Sequence, residues 1–167
     1  SGGWHNVAIN VSGELWAWGY NNYGQLGDNT VDNSSIPTYV AAEGDNWESA
    51  SASDYSTVAI KTDGTLWAWG WNVYGQLGNG TTDHSNHSLP VQVGADTNWA
   101  SVSVSDYHTV AIKDNGTLWA WGRNNHGQIG NGTTGINVLE PVQIIAAGNG
   151  WVSASAGGGD DTSIYSH

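Results

Sequence analysis

One pentapeptide, repeated three times, constrains the fold of this chain more than any other feature. Leu-Trp-Ala-Trp-Gly occurs at residues 15–19, 66–70 and 118–122. A Val-Ala-Ile triplet precedes each copy, a Gly-Gln-Leu/Ile-Gly tetrapeptide follows it, and the copies are offset by 51 and 52 residues. Several motifs that keep one register over nearly the whole chain indicate a protein built from three similar units.

Each unit shows the pattern of four strands. Residues 100–104 alternate apolar and small polar side chains, which is the period of a strand. Asp63-Gly64 and Asn115-Gly116 separate two β-rich runs and favour a type I′ hairpin turn. The pentapeptide is the third predicted strand, and the fourth begins at a proline, where no ladder donor is lost. These prolines are Pro37, Pro90 and Pro141.

Four-stranded antiparallel units of about 50 residues are typical of β-propeller blades. We therefore predict an all-β fold of three four-stranded antiparallel repeats with offset ends. A single repeat domain covers residues 1–167, with units at about 1–46, 47–98 and 99–150, and residues 151–167 start a further repeat.

The repeat units are out of phase with the chain. The first unit opens just before its second strand, whereas the residues after Gly150 resemble a first strand without the rest of its unit. Two complementary open edges predict head-to-tail self-association, as a closed ring or a filament. The remainder of a longer propeller chain is the alternative partner. The predicted assembly strand consists of Val152, Ser153, Ala154 and Ser155.

The paired tryptophans predict packing between units. Trp16 and Trp18 are two residues apart, so they point to one face of a strand, while Leu15 and Ala17 point to the other. Blades stack face to face, and identical side chains in every unit suit such repeated packing. The predicted structural core of the repeats contains Trp16, Trp18, Trp67, Trp69, Trp119 and Trp121.

The third unit, HTVAIKDNGTLWAWGRNNHGQIGNG, resembles the repeat of the regulator of chromosome condensation family. The tryptophan-rich version found here is similar to repeats common in secreted bacterial proteins. The resemblance implies a propeller, usually of about seven blades, a module that can serve as a protein-binding platform, and an extracellular or cell-surface location. The nucleotide-exchange and chromatin roles of the founding member are not implied, because this chain is acidic and has no basic tail.

The charge of the chain excludes two classes of partner. Fifteen acidic residues stand against Lys61, Lys113 and Arg123, which gives a net charge of −12. Three cations cannot displace the counterions of nucleic acid or bind an anionic membrane. We therefore expect no nucleic-acid partner and no membrane partner.

The sequence shows no catalytic pattern. It has no cysteine, no Ser-His-Asp order and no phosphate-binding loop, so we expect no enzymatic activity and no cofactor. Calcium alone stays open, because Asp28 and Asp32 share a loop that nevertheless lacks the order of a calcium motif. Asp160-Asp161 is interpreted as a solvated acidic tail. His5 and His108 occupy equivalent positions and predict a structural hydrogen bond from turn to strand.

These observations favour a non-catalytic propeller module that works as a structural or protein-binding scaffold. The alternative is a carbohydrate-binding propeller with an aromatic rim near the loops after the pentapeptide. The candidate rim residues are Tyr20, Tyr23, Trp71, Tyr74 and His126. Glycosylation is left open at six Asn-x-Ser/Thr sites: Asn10, Asn33, Asn79, Asn86, Asn115 and Asn131.

Overall fold

The computed structural model describes residues 3–42, 44–145 and 148–158, and the regular elements within them are strands. Asp160-Asp161 and most of the tail beyond the assembly strand lie outside these residues. No helix in the described part of the chain has the length and apolarity needed to span a membrane. The strands are β1 (His5–Ile9), β2 (Leu15–Gly19), β3 (Ser34–Tyr39), β4 (Trp47–Ala52), β5 (Ser56–Lys61), β6 (Leu66–Asn72), β7 (Asp83–Gln92), β8 (Trp99–Val104), β9 (His108–Lys113), β10 (Leu118–Gly122) and β11 (Val138–Gln143).

The strands form three antiparallel sheets in chain order. One sheet contains β1-β2-β3, and the other two contain β4-β5-β6-β7 and β8-β9-β10-β11. The first strand of each following blade packs against the second strand of the blade before it, β4 on β1 and β8 on β5. The predicted all-β propeller architecture with offset ends is confirmed, because the first described sheet lacks the strand that β4 and β8 supply elsewhere.

The hairpin turns differ from the predicted type I′. Gly64 lies in the left-handed region at φ +77°, but the preceding Asp63 does not, and Asn29 is the one non-glycine residue in that region within the described chain. Gly64 N–H donates to the Lys61 carbonyl at 2.9 Å, which closes a type I turn with a glycine bulge. The Asp63 carboxylate accepts from Thr65 N–H and Oγ–H, and this local pairing favours the observed turn.

The prolines lie inside the fourth strands and not at their starts. Pro37 lies in β3, Pro90 in β7 and Pro141 in β11. Each of these strands pairs with a single neighbour and has an irregular register against it. An outer strand with a bulge tolerates proline because not every N–H on it faces a partner.

The core lies between blades, and the second tryptophan of the pentapeptide fills it. Trp69 and Trp121 are 0% exposed. Trp69 packs with Leu15 and Leu26 of the preceding blade, and its indole N–H donates to the Gln25 carbonyl at 2.9 Å. Trp121 repeats this bond with the Gln76 carbonyl at 2.9 Å. The remaining predicted core tryptophans are partly exposed: Trp16, Trp18, Trp67 and Trp119.

Replacing Trp69 with alanine should lower the free energy of unfolding by about 3–5 kcal/mol, because it empties a buried site between two blades. Trp18→Ala is the matched control. Trp18 has the same sequence neighbours but is partly exposed, since no blade precedes it in the described chain. Urea denaturation at low protein concentration measures both variants, and equal losses would contradict packing between blades as the cause.

Candidate functional site

A stripe of aromatic rings runs across the three blades. Three positions of the repeat supply it: the residue before the second strand, the residue after the pentapeptide and the residue before Gly-Gln. In the first blade these are Trp4, Tyr20 and Tyr23. The second blade supplies Tyr55, Trp71 and Tyr74, and the third supplies Tyr107, Arg123 and His126. Those that contact a neighbouring ring form what we call the aromatic stripe: Trp4, Tyr20, Tyr23, Tyr55, Trp71, Tyr74, Tyr107 and Arg123.

The rings of the stripe touch one another across blade boundaries. Tyr23 of the first blade lies 5.4 Å from Tyr55 and 5.9 Å from Trp71 between ring centroids. Tyr74 of the second blade lies 5.4 Å from Tyr107 of the third. Most of these pairs are edge to face, an arrangement worth about 0.5–1.5 kcal/mol beyond the area buried. The stripe is therefore a continuous, partly exposed surface.

Arg123 ends the stripe with a cation. Its guanidinium carbon lies 5.0 Å from the Tyr74 ring centroid and 5.1 Å from that of Tyr107. In the second blade, the equivalent place beside Tyr23 and Tyr55 belongs to the Trp71 indole. The electron-rich ring faces thus accept either an aromatic ring or a planar cation.

Buried glutamines hold the stripe in place. The Gln25 side chain accepts from Tyr23 N–H at 3.0 Å and donates to the Asp54 carbonyl of the next blade at 3.1 Å. Gln76 makes the same pair of bonds with Tyr74 N–H and the Asp106 carbonyl. Each glutamine therefore fixes one ring of the stripe to the turn that carries the next ring.

The stripe also has an acidic border. The Asp54 carboxylate accepts from the Trp4 indole N–H at 2.9 Å, and Asp54 N–H donates to the Asp106 carboxylate at 3.0 Å. Burial, together with the nearby Asp54 and Asp106 carboxylates, raises the pKa of Tyr55 above its ordinary value. A tyrosine phenol is protonated at neutral pH even at its ordinary pKa, so Tyr55 is a hydrogen-bond donor at this border.

The structure brings together four of the five candidate rim residues. Tyr20, Tyr23, Trp71 and Tyr74 belong to the stripe. His126 is exposed and contacts no ring within the described residues. Sequence reasoning missed Trp4, Tyr55, Tyr107 and Arg123. Their signal was their equivalent position in each unit, which follows from the same 51- and 52-residue offsets.

Asp28 takes part in local turn bonding. Its carboxylate accepts from Thr30 N–H at 3.0 Å and Thr30 Oγ–H at 2.7 Å. In the other units, the Asn79 and Asn131 amide oxygens accept the same two bonds from the threonine two residues on. A neutral amide serves equally well, so the charge of Asp28 is not what the loop requires. The described residues contain no group of three His, Asp or Glu side chains arranged for a metal ion.

The two equivalent histidines make different bonds. His108 Nδ1 lies 2.8 Å from Ser105 Oγ, which joins the turn to the strand. His5 instead reaches the next blade, with Nε2 2.7 Å from Thr57 Oγ1. Burial lowers the pKa of both histidines, that of His5 from 6.5 to about 4. His5 is therefore neutral at physiological pH.

The residues after Gly150 follow the path of a first strand. Trp151 N–H donates to the Gly116 carbonyl at 3.1 Å, as Trp99 N–H donates to the Gly64 carbonyl at 3.1 Å. Ala156 N–H donates to Ser103 Oγ at 3.1 Å, and this repeats the bond from Val104 N–H to Ser51 Oγ. The predicted assembly strand, residues 152–155, lies between these anchors without pairing in a sheet, and Val152 is 91% exposed.

Stacked sheets, a repeated indole bond between them and a tail in the first-strand position define this chain as consecutive blades of a β-propeller. The family model of the regulator of chromosome condensation (RCC1) repeat matches residues 12–60, 63–112 and 115–160. The chain belongs to the RCC1 repeat family.

Relatives of the chain carry several different roles. It is 33% identical over 132 residues to the ultraviolet-B receptor UVR8 of Arabidopsis thaliana, which covers 78% of this chain and 30% of the receptor. It is 30% identical over 135 residues to the human E3 ubiquitin-protein ligase HERC2, which covers 79% of this chain and 3% of the ligase. The chain thus spans less than a third of the length of either protein.

Solved structures share the fold. Human WBSCR16 superposes with a TM-score of 0.77 at 20% identity, over 88% of this chain and 37% of that one. Prp20p of Saccharomyces cerevisiae gives 0.77 at 23% identity, over 86% and 37% of the two chains. At this level of identity the likeness shows the propeller architecture alone.

The stability of the chain should fall in mild acid because of His5. Below pH 6.5 the unfolded chain binds a proton that the folded chain excludes until about pH 4. The free energy of unfolding should therefore drop by up to about 3 kcal/mol between these pH values. His5→Ser, which copies Ser56 of the second blade, should reduce this drop. Urea midpoints at pH 7 and pH 4.5 measure the effect, and an unchanged drop in the variant would contradict the assignment.

Proposed function

We propose that this chain is a non-catalytic, extracellular β-propeller scaffold that binds protein and assembles head to tail. The observation that carries the proposal is the tail, whose Trp151 and Ala156 keep the hydrogen bonds of a first strand, while residues 152–155 pair with no strand in the part of the chain that the structure describes.

The head of the chain offers the matching edge. In the described residues β1 pairs with β2 alone, whereas its equivalents β5 and β9 each pair on both sides. An open strand edge presents unpaired N–H and C=O groups that accept a further strand. Residues 152–155 of one copy would pair with β1 of the next. If the rotation closes, two copies make a six-bladed ring, and otherwise the contact propagates as a filament.

Two further observations support a binding role. The aromatic stripe is partly exposed, and aromatic side chains are enriched at protein interfaces. The related yeast propeller Prp20p has binding properties toward Gsp1p and histones. The extracellular location rests on the tryptophan-rich form of the repeat, and the net charge of −12 argues against nucleic-acid and membrane partners.

Removal of the tail should abolish strand exchange. A chain ending at Gly150 should lose the large species that the intact chain forms, whereas a control chain ending at Gly158 keeps residues 152–155 and should retain them. Light scattering or sedimentation measures particle mass. An intact chain that stays a monomer of 17.6 kDa would refute the assembly, and large species from the chain ending at Gly150 would refute the tail as its mechanism.

The second candidate function is carbohydrate binding, and the aromatic stripe favours it. Partly exposed rings with phenolic donors and a carboxylate border offer both stacking surfaces and hydrogen bonds to a sugar. Trp71 lies at the centre, in contact with Tyr23, Tyr55, Tyr74 and Tyr107.

A glycan array tests this candidate directly. If sugars bind at the stripe, Trp71→Ala should lower the signal at least about tenfold, the loss of roughly 1.4 kcal/mol of binding. Tyr39→Ala, an exposed aromatic outside the stripe, should leave it unchanged. An array without any bound sugar would exclude the carbohydrate function and leave the scaffold.

A further inference from the structure

We infer that Trp18 is an intermolecular lock: its indole inserts into the loop 127–130 of a second copy and donates a hydrogen bond to the Gln128 carbonyl there. The inference deepens the proposed head-to-tail assembly and rests on it. It concerns the packing of whole blade faces, which is separate from the exchange of the tail strand.

Two internal interfaces define the geometry of the lock. At the first, the Trp69 N–H binds the Gln25 carbonyl, and a Cβ added to Gly27 would lie 2.7 Å from the Trp69 nitrogen. At the second, Trp121 binds the Gln76 carbonyl, and a Cβ on Gly78 would lie 2.6 Å from the indole. The glycine two residues after the glutamine therefore forms the floor of an indole seat, where any side chain would collide.

The third unit carries the same seat without an indole in it. Gly130 has φ +76°, close to +72° at Gly27 and +74° at Gly78, so the backbone is already shaped. A Cβ on Gly130 would meet only Ile144, at 3.7 Å. Gln128 is partly exposed, whereas Gln25 and Gln76 are 0% exposed. Among the described residues, the seat is formed and has room for an indole.

The head of the chain carries the matching indole. Trp18 is the equivalent of Trp69 and Trp121 and is the one of the three that remains partly exposed. Every internal seat in the described chain receives the tryptophan at this position from the next unit. A second copy of the chain therefore supplies the occupant whose shape and donor the seat already fits.

The aromatic stripe would continue through the same contact. Tyr23 and Tyr74 each lie against the rings of the next blade, and His126 is their equivalent in the third unit. At the head, Trp4 is 60% exposed and lies 5.9 Å from Tyr20. Docking of Trp18 in the seat would bring His126 of one copy onto Trp4 and Tyr20 of the next. The indole position and the His126 position of the repeat therefore both indicate the same contact between copies.

A matched pair of glycine variants tests the lock. Gly130→Asn fills the seat, while Gly132→Asn places the same side chain two residues away, where a Cβ would meet nothing within 4 Å. Asparagine tolerates the left-handed backbone of both sites. The first unit has Asn29, at φ +66°, in the position equivalent to Gly132. An asparagine at this position of the repeat is therefore compatible with both the backbone conformation and the packing between blades.

The measurement is the self-association constant from sedimentation over a concentration series, with circular dichroism to establish folding. Gly130→Asn should weaken association at least about tenfold while Gly132→Asn keeps the wild-type constant. Trp18→Phe, which retains a ring and removes the N–H, should weaken association by about fivefold, the effect of one lost hydrogen bond.

The outcomes distinguish failure of the lock from failure of the assembly. If the wild type associates and Gly130→Asn associates equally well, the lock is wrong and the proposed assembly through the tail stands. If Gly132→Asn weakens association as much as Gly130→Asn, the effect is not specific to the seat and the lock is again wrong. If the wild type is monomeric at every concentration, the proposed assembly is refuted and the lock, which rests on it, is refuted too.

Discussion

The hydrogen bond from the second indole of each pentapeptide to the Gln carbonyl of the preceding blade is the contact on which the structure depends. It places a fully buried Trp69 or Trp121 against a loop of another unit. The loop must contain glycine at Gly27 or Gly78, because the indole passes too close for a side chain. An unpaired buried N–H would be costly, so the bond fixes the depth and the angle at which blades stack.

Side-chain hydrogen bonds make the loop that accepts the indole rigid. Buried Asn21 accepts from Leu26 N–H and donates to the Thr30 carbonyl, and Asn72 makes the corresponding bonds to Leu77 and Thr81. Because the same loops carry Tyr23 and Tyr74, the stripe inherits their rigidity. A preorganised aromatic surface loses little conformational entropy on binding, which suits the partner-binding role proposed for it.

The fold could be predicted well from the sequence because each strand motif occurs three times. Strand order and the offset of the first unit followed from spacing alone. The turn type was wrong, since Asp63-Gly64 favours type I′ in isolation but the Thr65 bonds to Asp63 select a type I turn with a bulge. The stripe was predicted only in part. Tyr55 and Tyr107 lie in turns without a distinctive sequence motif, and their ring contacts cross from one blade to the next. His126 was included by sequence equivalence, but it contacts no ring within the described residues.

The indole seat has no built-in stop. Every unit carries one indole and one seat on opposite faces, so a row of any length leaves one of each unused. The contacts at one interface therefore do not fix the number of units in an array. That number is decided only by the rotation from blade to blade, or by whatever covers the final face. The same property makes the chain extendable, since a duplicated unit of about 51–52 residues would bring both halves of a new interface with it.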